Sequence, residues 1–523
     1  MRLIVISAAA LALACSSVED RAACVTSASC PSGQYCARTS DGSVCWADAV
    51  RPAVSLVTAS CATSPCVRDG VLRVEATVTE DRELATVEAA LDLDSGARKV
   101  AMTAAGGRWV AELPLRDWPF EAYARPVVVS VVARDGARNE GSAAAAPVEV
   151  TRLRWVYDAG VPMSPAAVMD DGTIVVGLSR TAEQLVAIHP DGTRAWAATV
   201  GTGFITAPPT VGTEALWIGS NDFWLRGAAL DSGGSLTGVG VNLEGAIRGG
   251  TAIATTLGKE WAFAAAMSGR VGATSTVVGE DAKSVATNAY VSGAVIGRDG
   301  RVCGATSGAT SSLRCFDFDG ALAQAGAAAV GVNVVAPLAV DAQGGIWSGS
   351  QDGKLNRSVF AAGVLETTTV ASLTASIGDS PIVAGDGDVF VGDEAGYLRR
   401  LSPAGVSRWA DAPNLGAAVL APMMLRGGPC AVLVSTRGGT VHAVRGDGLE
   451  DWRGVLAAGT ELRSPNIYTP PGQPAGAVMS TAYVAGADGK LYAVIVDGEL
   501  DTSAPWPKAF HDPRNTNNAG TQP

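Results

Sequence analysis

Apolar and polar residues alternate along most of this chain in short runs, which are separated by turns rich in Gly. Three such stretches are alike: "LVAIHPDGTRAW" from Leu185, "LRRLSPAGVSRW" from Leu398 and "VHAVRGDGLEDW" from Val441. Each has an apolar start, a turn that ends in Gly and a Trp four residues after that Gly. Alternation with a period of two predicts short β-strands joined by tight turns.

The three stretches are copies of one repeat. Leu185 and Leu398 lie 213 residues apart, Leu398 and Val441 lie 43 apart, and 213 is close to five times 43. Weaker copies fill the interval at Gly227, Val271, Leu313 and Leu355, and a last copy follows at Leu491. Eight copies are therefore expected, and repeats of this length indicate one supersecondary unit per copy.

A second marker, a small residue followed by Pro, has nearly the same spacing. It occurs at Pro165, Pro208, Pro337, Pro381, Pro422 and Pro465. Each unit then contains four short strand patterns, which is one antiparallel blade of a β-propeller. Trp196, Trp409 and Trp452 occupy one repeat position, which favours blade-to-blade packing over sugar stacking.

The segment before the repeats reads differently. Residues 51–152 show short alternating runs with turns every 8 to 12 residues, which predict a β-sandwich. The stretch "VVARDGARNEG" (131–141) resembles the late strand and turn of bacterial immunoglobulin-like modules. Asp135 and Asn139 are candidate calcium ligands, but the pattern favours a turn stabilised by Asx side chains.

The N-terminus "MRLIVISAAALALAC" has a basic start and an apolar run of 12 residues, too short to span a bilayer and typical of a secretion signal. Its end is similar to a bacterial lipobox, although Ala12 stands where Leu is usual. The resemblance implies that Cys15 carries lipid, and several acyl chains together would anchor the chain. Cleavage a few residues further on is the alternative.

An exported chain meets an oxidising compartment, so its remaining cysteines are expected to pair. Cys24, Cys30, Cys36 and Cys45 are crowded into one short segment that has no room for a core. Resemblance to small Cys-rich modules of exported bacterial proteins implies the bridges Cys24–Cys36 and Cys30–Cys45. Cys61 and Cys66 are expected to close a small loop, and Cys430 is expected to be a buried thiol.

Cys303 and Cys315 lie on the second and third strands of the fourth repeat, joined by "GATSGATSS". Directly opposed residues of an antiparallel hairpin come close enough for a bridge. We therefore predict a disulfide across this hairpin.

Composition narrows the functional classes. The chain has 523 residues, 47% of them hydrophobic, with a net charge of −12 and three His. A basic footprint for nucleic acid or anionic lipid is therefore not expected, and His-based catalysis has few candidates. The histidines are expected to be ordinary strand or turn residues.

The stretches "TAYVAGADGKLYAVIVDG" (481–498) and "DVFVGDEAGYLRRLSPAGVSRW" (388–409) resemble pyrroloquinoline-quinone-like β-propeller repeats. The family's dehydrogenases carry adjacent cysteines above the quinone, and this chain has no adjacent pair. Other members are lipid-anchored interaction propellers. The resemblance therefore implies a binding propeller, with no catalytic, cofactor-binding or metal-binding residue assigned.

The blades of a propeller form a closed ring, and here the eighth repeat lacks the Trp-containing fourth strand that would complete its blade. The eighth copy has Thr502 where its Trp would stand, whereas the orphan strand "LRWVYDAG" before the first copy contains Trp155. An open ring would leave unpaired strand edges. We predict that 153–158 pairs with the eighth blade near 491–497, and that Trp155 is buried in place of the missing Trp.

The expected fold is all-β: an eight-bladed β-propeller preceded by an immunoglobulin-like β-sandwich and a small disulfide-rich module. The expected segments are a lipoprotein signal peptide (1–14), a Cys-rich module and linker (15–50), the sandwich (51–152), the propeller (153–510) and a C-terminal tail (511–523). The expected function is that of a monomeric, non-enzymatic binding or scaffold protein, lipid-anchored in the cell envelope at the outer membrane, on its periplasmic or surface face. Its expected partner is an envelope protein or a surface polymer; a propeller enzyme or carbohydrate-binding protein is the alternative.

Overall fold

The computed structural model describes residues 22–40, 42–91, 98–285, 287–290, 292–474 and 477–523. The predicted signal peptide and Cys15 lie outside these residues. The described chain is built of β-strands, with short 3-10 turns at Ser27–Ser29 and Leu115–Asp117. Within the described part, no helix is long and apolar enough to cross a membrane.

The chain forms two compact units. Of the described residues, the first unit comprises those between 22 and 120 together with 125–150, and the second comprises 121–124 together with those between 151 and 523. The predicted Cys-rich module and most of the predicted sandwich segment therefore fall in one unit. The strands up to residue 151 are β1 (Gln34–Thr39), β2 (Gly42–Ala47), β3 (Ala53–Ser60), β4 (Cys66–Val67), β5 (Val71–Thr79), β6 (Leu84–Leu91), β7 (Arg98–Ala101), β8 (Thr103–Ala105), β9 (Arg108–Pro114), β10 (Ala124–Val127), β11 (Val129–Asp135), β12 (Glu140–Ala144) and β13 (Val148–Thr151).

Two four-stranded antiparallel sheets dominate the first unit, in the orders β3-β5-β9-β8 and β12-β11-β6-β7. Alternate residues along their central strands are buried, for example Leu72, Val74 and Ala76 on β5. This is the period-two burial that places one face of a sheet in a core. A two-stranded sheet β1-β2 and a three-stranded sheet β10-β13-β4 complete the unit.

The second unit consists of successive antiparallel sheets, numbered here 1 to 8 in chain order. The strands of sheets 1 to 4 are β15 (Ala167–Val168), β16 (Ile174–Gly177), β17 (Leu185–Ile188), β18 (Arg194–Ala198); β19 (Thr210–Val211), β20 (Leu216–Gly219), β21 (Trp224–Ala228), β22 (Ser235–Asn242); β23 (Ala252–Thr256), β24 (Lys259–Ala265), β25 (Val271–Ser275), β26 (Asp281–Lys283); and β27 (Val295–Ile296), β28 (Val302–Ala305), β29 (Ser311–Phe318), β30 (Leu322–Gly331).

The strands of sheets 5 to 7 are β31 (Ala339–Val340), β32 (Ile346–Gly349), β33 (Lys354–Ala361), β34 (Val364–Ser372); β35 (Ile382–Val383), β36 (Val389–Gly392), β37 (Leu398–Leu401); and β38 (Met423–Arg426), β39 (Cys430–Ser435), β40 (Thr440–Arg445), β41 (Glu450–Val455). Sheet 8 contains β42 (Asn466–Tyr468), β43 (Met479–Ala485) and β44 (Lys490–Asp497), with β14 (Leu153–Asp158) as its outer strand, and β45 (Glu499–Leu500) pairs with β38. Sheet 6 lacks the fourth strand that the repeat predicts: around Ser407 only an isolated bridge to Leu401 forms.

Sheet 8 is completed by the two ends of the repeated region. Trp155 on β14 lies opposite Ala493 on β44, and Asp158 lies opposite Lys490. The orphan strand therefore pairs where the sequence places it. Pairing the first strand of the repeated region with β44 of the last repeat in one sheet closes the ring and removes the unpaired strand edge that an open ring would expose.

The C-terminal residues 506–519, here called the axial segment, run along the innermost strands of the sheets. Their carbonyl oxygens accept hydrogen bonds of 2.8–3.0 Å from first-strand N–H groups at Val383, Met424, Val168, Val211, Ile253 and Ile296. These donors belong to sheets 6, 7, 1, 2, 3 and 4. Residues 511–519 of this segment belong to the predicted C-terminal tail (511–523), and they contact the first strands of sheets 1 to 4.

Candidate functional site at the centre of the sheets

Four of the six small residue–Pro markers contribute to one pocket of about 300 Å³, here called the axial pocket, through Pro165, Pro208, Pro337 and Ser464. Its walls come from the loops before the first strands of sheets 1, 2, 3, 5, 6, 7 and 8, and from the turn between β39 and β40 that contains Arg437. Because these loops follow one another around the repeats, a pocket that touches all of them lies at their common centre. Rim loops on a rigid frame are the usual place for recognition residues in such folds.

Charged side chains line the axial pocket. They are Arg248, Arg437, Arg463, Asp379 and Glu461. The guanidinium of Arg463 lies 2.6 Å from the Glu461 carboxylate, and that of Arg437 lies 2.7 Å from Glu394. These pairs fix two of the three guanidinium groups at the wall of the pocket.

Arg248 differs from the other two arginines. It is exposed at the pocket, and no carboxylate of the described residues lies within ion-pair distance of it. A guanidinium presents five N–H donors in a planar fork that matches a carboxylate or a phosphate. The pocket therefore offers one positive group that is available to an anionic ligand.

Asp379 is a half-buried residue of the wall. Its Oδ1 accepts from the backbone N–H of Ser380 at 2.7 Å, and its Oδ2 accepts from the hydroxyl of Ser464 at 2.9 Å. Burial raises the pKa of the Asp379 carboxyl, against the opposing effect of these hydrogen bonds. Ser464 and Ser380 are the Ser residues of two Ser-Pro markers, so the repeat marker itself holds this carboxyl.

The axial segment contributes Phe510 to the lining of the pocket. The buried ammonium of Lys508, 5.9 Å from the centre of the Phe510 ring, donates to the Ala509 and Asp512 carbonyl oxygens and to Asn515 Oδ1, at 2.6–2.9 Å. Burial lowers the pKa of Lys508 to about 7. Composition and repeat spacing gave no indication of this arrangement, although the run "NTNNAG" (515–520) is a signal, because Asn tolerates left-handed backbone.

Two of the three Asn in that run have positive φ, 57° at Asn515 and 49° at Asn517. Asn515 Nδ2 donates to the carbonyl oxygens of Ala166 and Pro209, and Asn517 Nδ2 donates to that of Thr251. The side-chain amides thus donate hydrogen bonds to the carbonyl groups of residues that directly precede the first strands of sheets 1, 2 and 3. A buried carbonyl without a donor would cost free energy, so these amides hold the segment in place.

A second cavity, of about 480 Å³, involves the opposite ends of the first strands of sheets 1 and 8. It is lined by Met169, Tyr468 and Thr469 together with Arg514 and Gln522 of the chain end. The axial segment also contributes to this wall, and thus takes part in both cavities.

The predicted cysteine pairs are joined in the structure. Disulfides link Cys24 to Cys36, Cys30 to Cys45, Cys61 to Cys66, and Cys303 to Cys315. Cys303 and Cys315 are direct partners on β28 and β29, with Cα atoms 4.1 Å apart. Cys430 is buried as a free thiol, and burial raises its pKa.

Trp155 takes part in packing between neighbouring sheets. Its Nε1 donates to the carbonyl oxygen of Pro190 in sheet 1. The sequence predicts that Trp155 is buried, but its side chain is half-buried, because β14 is the outer strand of its sheet. Its indole nevertheless covers the turn at Gly192, where an added Cβ would lie 2.8 Å from the ring.

The histidines do not line the axial pocket. His189 is exposed at a turn, and His511 lies beside Asp512 in the axial segment. His442 is buried between the Thr440 hydroxyl at 2.8 Å and the Glu450 carboxylate at 2.6 Å. Burial lowers the pKa of His442, against the opposing effect of Glu450, so the imidazole is neutral near pH 7 and serves to join two strands.

No protein-family model matches the chain, and no curated protein matches it. Sqt1 from Saccharomyces cerevisiae is a structural neighbour, with 13% identity and a TM-score of 0.53 over 66% of this chain and 99% of Sqt1. The computationally designed Ika8 protein shares 12% identity with a TM-score of 0.51, over 66% of this chain and all of Ika8. The WD40 β-propeller domain of Doa1 shares 12% identity with a TM-score of 0.42, over 66% of this chain and 96% of that domain.

These likenesses cover a part of the chain comparable in length to the repeated sheets. The likenesses to Sqt1 and Ika8, together with the sheet order, confirm the predicted all-β class and show a β-propeller fold. At such low identity they carry no function to this chain, because propellers support many unrelated activities.

Proposed function

We propose that this chain is a lipid-anchored protein of the cell envelope whose eight-bladed propeller binds an envelope protein or a surface polymer. In this proposal each of the eight sheets is one blade, and the first unit comprises the disulfide-rich module and an immunoglobulin-like sandwich. The propeller is an interaction platform and not an enzyme. The observation that carries the proposal is the exposed, unpaired guanidinium of Arg248 in the axial pocket.

The ligand group expected in the pocket is an anion, most simply a carboxylate of the partner. Arg437 and Arg463 stand in the same pocket but are already paired with glutamates, which largely neutralise their charges, so Arg248 is the guanidinium left to meet an anion. The whole chain carries a net charge of −12, so a local positive site would orient an acidic partner that the remaining surface repels.

The membrane anchor of the proposal rests on the lipobox-like "LALAC" that ends at Cys15. Cys15→Ala should move the protein from the membrane fraction to the soluble fraction and change its electrophoretic mobility. A variant that stays membrane-bound with unchanged mobility would contradict the anchor.

Crosslinking in cells tests the platform. The full chain, Arg248→Glu and the control Arg453→Glu are compared, since Arg453 is an exposed arginine on β41 away from the axial pocket lining. We expect a crosslinked partner whose yield falls about tenfold in Arg248→Glu and stays unchanged in the control. A tenfold fall corresponds to the loss of one recognition contact. Equal recovery of the same partner with all three proteins would argue against the axial pocket.

A carbohydrate-binding protein or propeller enzyme is the second candidate, favoured by the two carboxylates Asp379 and Glu461 in the pocket. A glycan array probed with the full chain and with Glu461→Gln distinguishes it. Saturable binding of a neutral sugar that is lost in Glu461→Gln would support this candidate over recognition of an anion.

A further inference from the structure

Three carboxylates of the first unit come together at the ends of its strands. Asp48 follows β2, Glu80 follows β5, and Asp135 ends β11. One carboxylate oxygen from each lies within 4.8 Å of the other two, and Asp48 and Asp135 are buried. The residues are far apart in sequence, so the fold itself assembles this group.

Two oxygens in this group have no hydrogen-bond donor. Asp48, whose exposure is 8%, accepts from the N–H of Val50 through Oδ1, but its buried Oδ2 has no partner. The buried Oε2 of Glu80 also has none, although Oε1 accepts from the N–H of Asp81. Among the described residues, no Lys, Arg or His forms an ion pair with Asp48, Glu80 or Asp135.

Three like charges this close, partly withdrawn from water, repel one another unless a proton or a cation is shared between them. An unpaired buried carboxylate oxygen costs free energy as well. The arrangement is therefore unfavourable without a positive partner.

The surroundings hold two of the three carboxylates firmly in position. The side-chain amide of Asn139 donates to Asp135 Oδ2 at 2.8 Å and to the backbone carbonyl oxygens of Asp48 and Val50 at 2.9 and 3.0 Å. The backbone N–H of Asn139 donates to Asp135 Oδ1 at 2.8 Å. The turn with Asx side chains that the sequence favours is thus present, and its hydrogen bonds fix the Asp135 carboxylate beside Asp48 and Glu80.

We propose that Asp48, Glu80 and Asp135 form a calcium-binding site in the first unit, independent of the propeller. The group offers carboxylate oxygens, with no imidazole or thiolate among the three residues, and Ca²⁺ prefers oxygen ligands. Asp48 Oδ2 and Glu80 Oε2 are the oxygens free to contact the ion. Bound Ca²⁺ would tie the segment after β2 to the ends of β5 and β11.

Calcium titration of the EDTA-treated full chain tests the site. Calorimetry with CaCl₂ should show one ion per chain, with a Kd on the order of 10⁻⁴ M, as in extracellular calcium modules. Glu80→Gln should weaken binding about tenfold or more, because it removes one of three anionic ligands. Glu112→Gln, an exposed acidic residue on β9, is the control and should bind as the parent does.

Thermal melting gives a second measurement that does not depend on the binding heat. In EDTA, Glu80→Gln should melt at or above the temperature of the parent, since it relieves charge repulsion. With 5 mM CaCl₂ added as a test condition, the parent and Glu112→Gln should gain several degrees and Glu80→Gln should not. Absence of both heat and melting shift in the parent, or calcium binding unchanged in Glu80→Gln, would overturn the proposal.

Discussion

The indole nitrogen of Trp155 donates to the carbonyl oxygen of Pro190 across 2.9 Å, and this bond joins the outer strand of sheet 8 to the third-strand turn of sheet 1. Trp409 makes the same contact from sheet 6 to Gly446 of sheet 7, also at 2.9 Å. The Gly two residues further on, Gly192 or Gly448, lies against the indole in each case. Trp155 therefore performs, at the closure of the ring, the function of the repeat Trp.

Trp452 in sheet 7 shows what happens where the next turn is absent. Sheet 8 takes its outer strand from β14, so no hairpin turn from its third to its fourth strand faces Trp452. Arg152 stands there instead, with its guanidinium 4.7 Å from the indole centre and 2.7 Å from Asp497. A buried guanidinium stacked on an indole and paired with a carboxylate replaces the missing turn.

Trp155→Phe should lower the free energy of unfolding of the propeller by about 1–3 kcal/mol, through loss of the hydrogen bond and of ring contact. Trp409→Phe should cost a similar amount. Chemical denaturation followed by circular dichroism measures both. Trp224→Phe, which removes a half-buried indole from a third strand, is the control. Equal effects of Trp155→Phe and the control would contradict a special role in closure.

Asn515→Ala should destabilise the propeller by about 2–4 kcal/mol. It removes the two hydrogen bonds that the side-chain amide donates and the Oδ1 acceptor of Lys508, and it leaves a non-Gly residue with positive φ. Asn333→Ala separates the two causes, since Asn333 also has positive φ, 45°, but is half-buried outside the axial segment. Denaturant titration should show a clearly smaller loss for Asn333→Ala. Similar losses would mean that backbone strain alone explains the effect.

Lys508 should make stability depend on pH above neutrality. Its pKa is about 7 when folded and near 10.5 when unfolded, so between these values the unfolded chain holds the extra proton. Stability contributed by this group therefore rises with pH from 7 and is lost as pH falls toward 7. The unfolding free energy of the parent, minus that of Lys508→Met, should therefore rise by about 2 kcal/mol from pH 7 to pH 9.

Lys283→Met is the control for this pH dependence, because Lys283 is exposed on β26. Its difference from the parent should be the same at both pH values. If the Lys508→Met difference is also constant, the buried ammonium keeps its ordinary pKa in the folded chain, and the argument from burial is wrong.

Thiol labelling tests the disulfides of the propeller. In the Cys15→Ala variant without reductant, no cysteine should react with iodoacetamide in the folded state, and one, Cys430, should react after unfolding in guanidinium. Peptide mapping identifies the labelled residue. Labelling of Cys303 and Cys315 before reduction would show that the hairpin bridge is absent.

Breaking the Cys303–Cys315 bridge should also lower stability. A loop of 12 residues constrains the unfolded chain by about 3 kcal/mol, so Cys303→Ala/Cys315→Ala should lose an amount of that order. Denaturant titration of this double variant against the parent gives the value. No measurable loss would mean that the unfolded chain is not restrained by this bridge.

The sequence alone determined the periodic features of this protein. The β-class, the propeller fold and the closing strand could be predicted from a repeat of about 43 residues with Gly at its turns and Trp at one position. All three depend on local alternation of apolar and polar residues and on regular spacing along the chain. The pairing of Cys303 with Cys315 followed from a single hairpin for the same reason.

Only the tertiary structure decided which non-repeated residues meet. The axial segment passes six sheets in turn, and Asp48, Glu80 and Asp135 converge from three strand ends, yet none of these contacts leaves a period in the sequence. The same holds for Arg248, whose exposure among paired arginines depends on loops from seven sheets. Burial and charge pairing depend on which residues are close in the folded chain. Spacing along the sequence therefore does not predict the sites that they form.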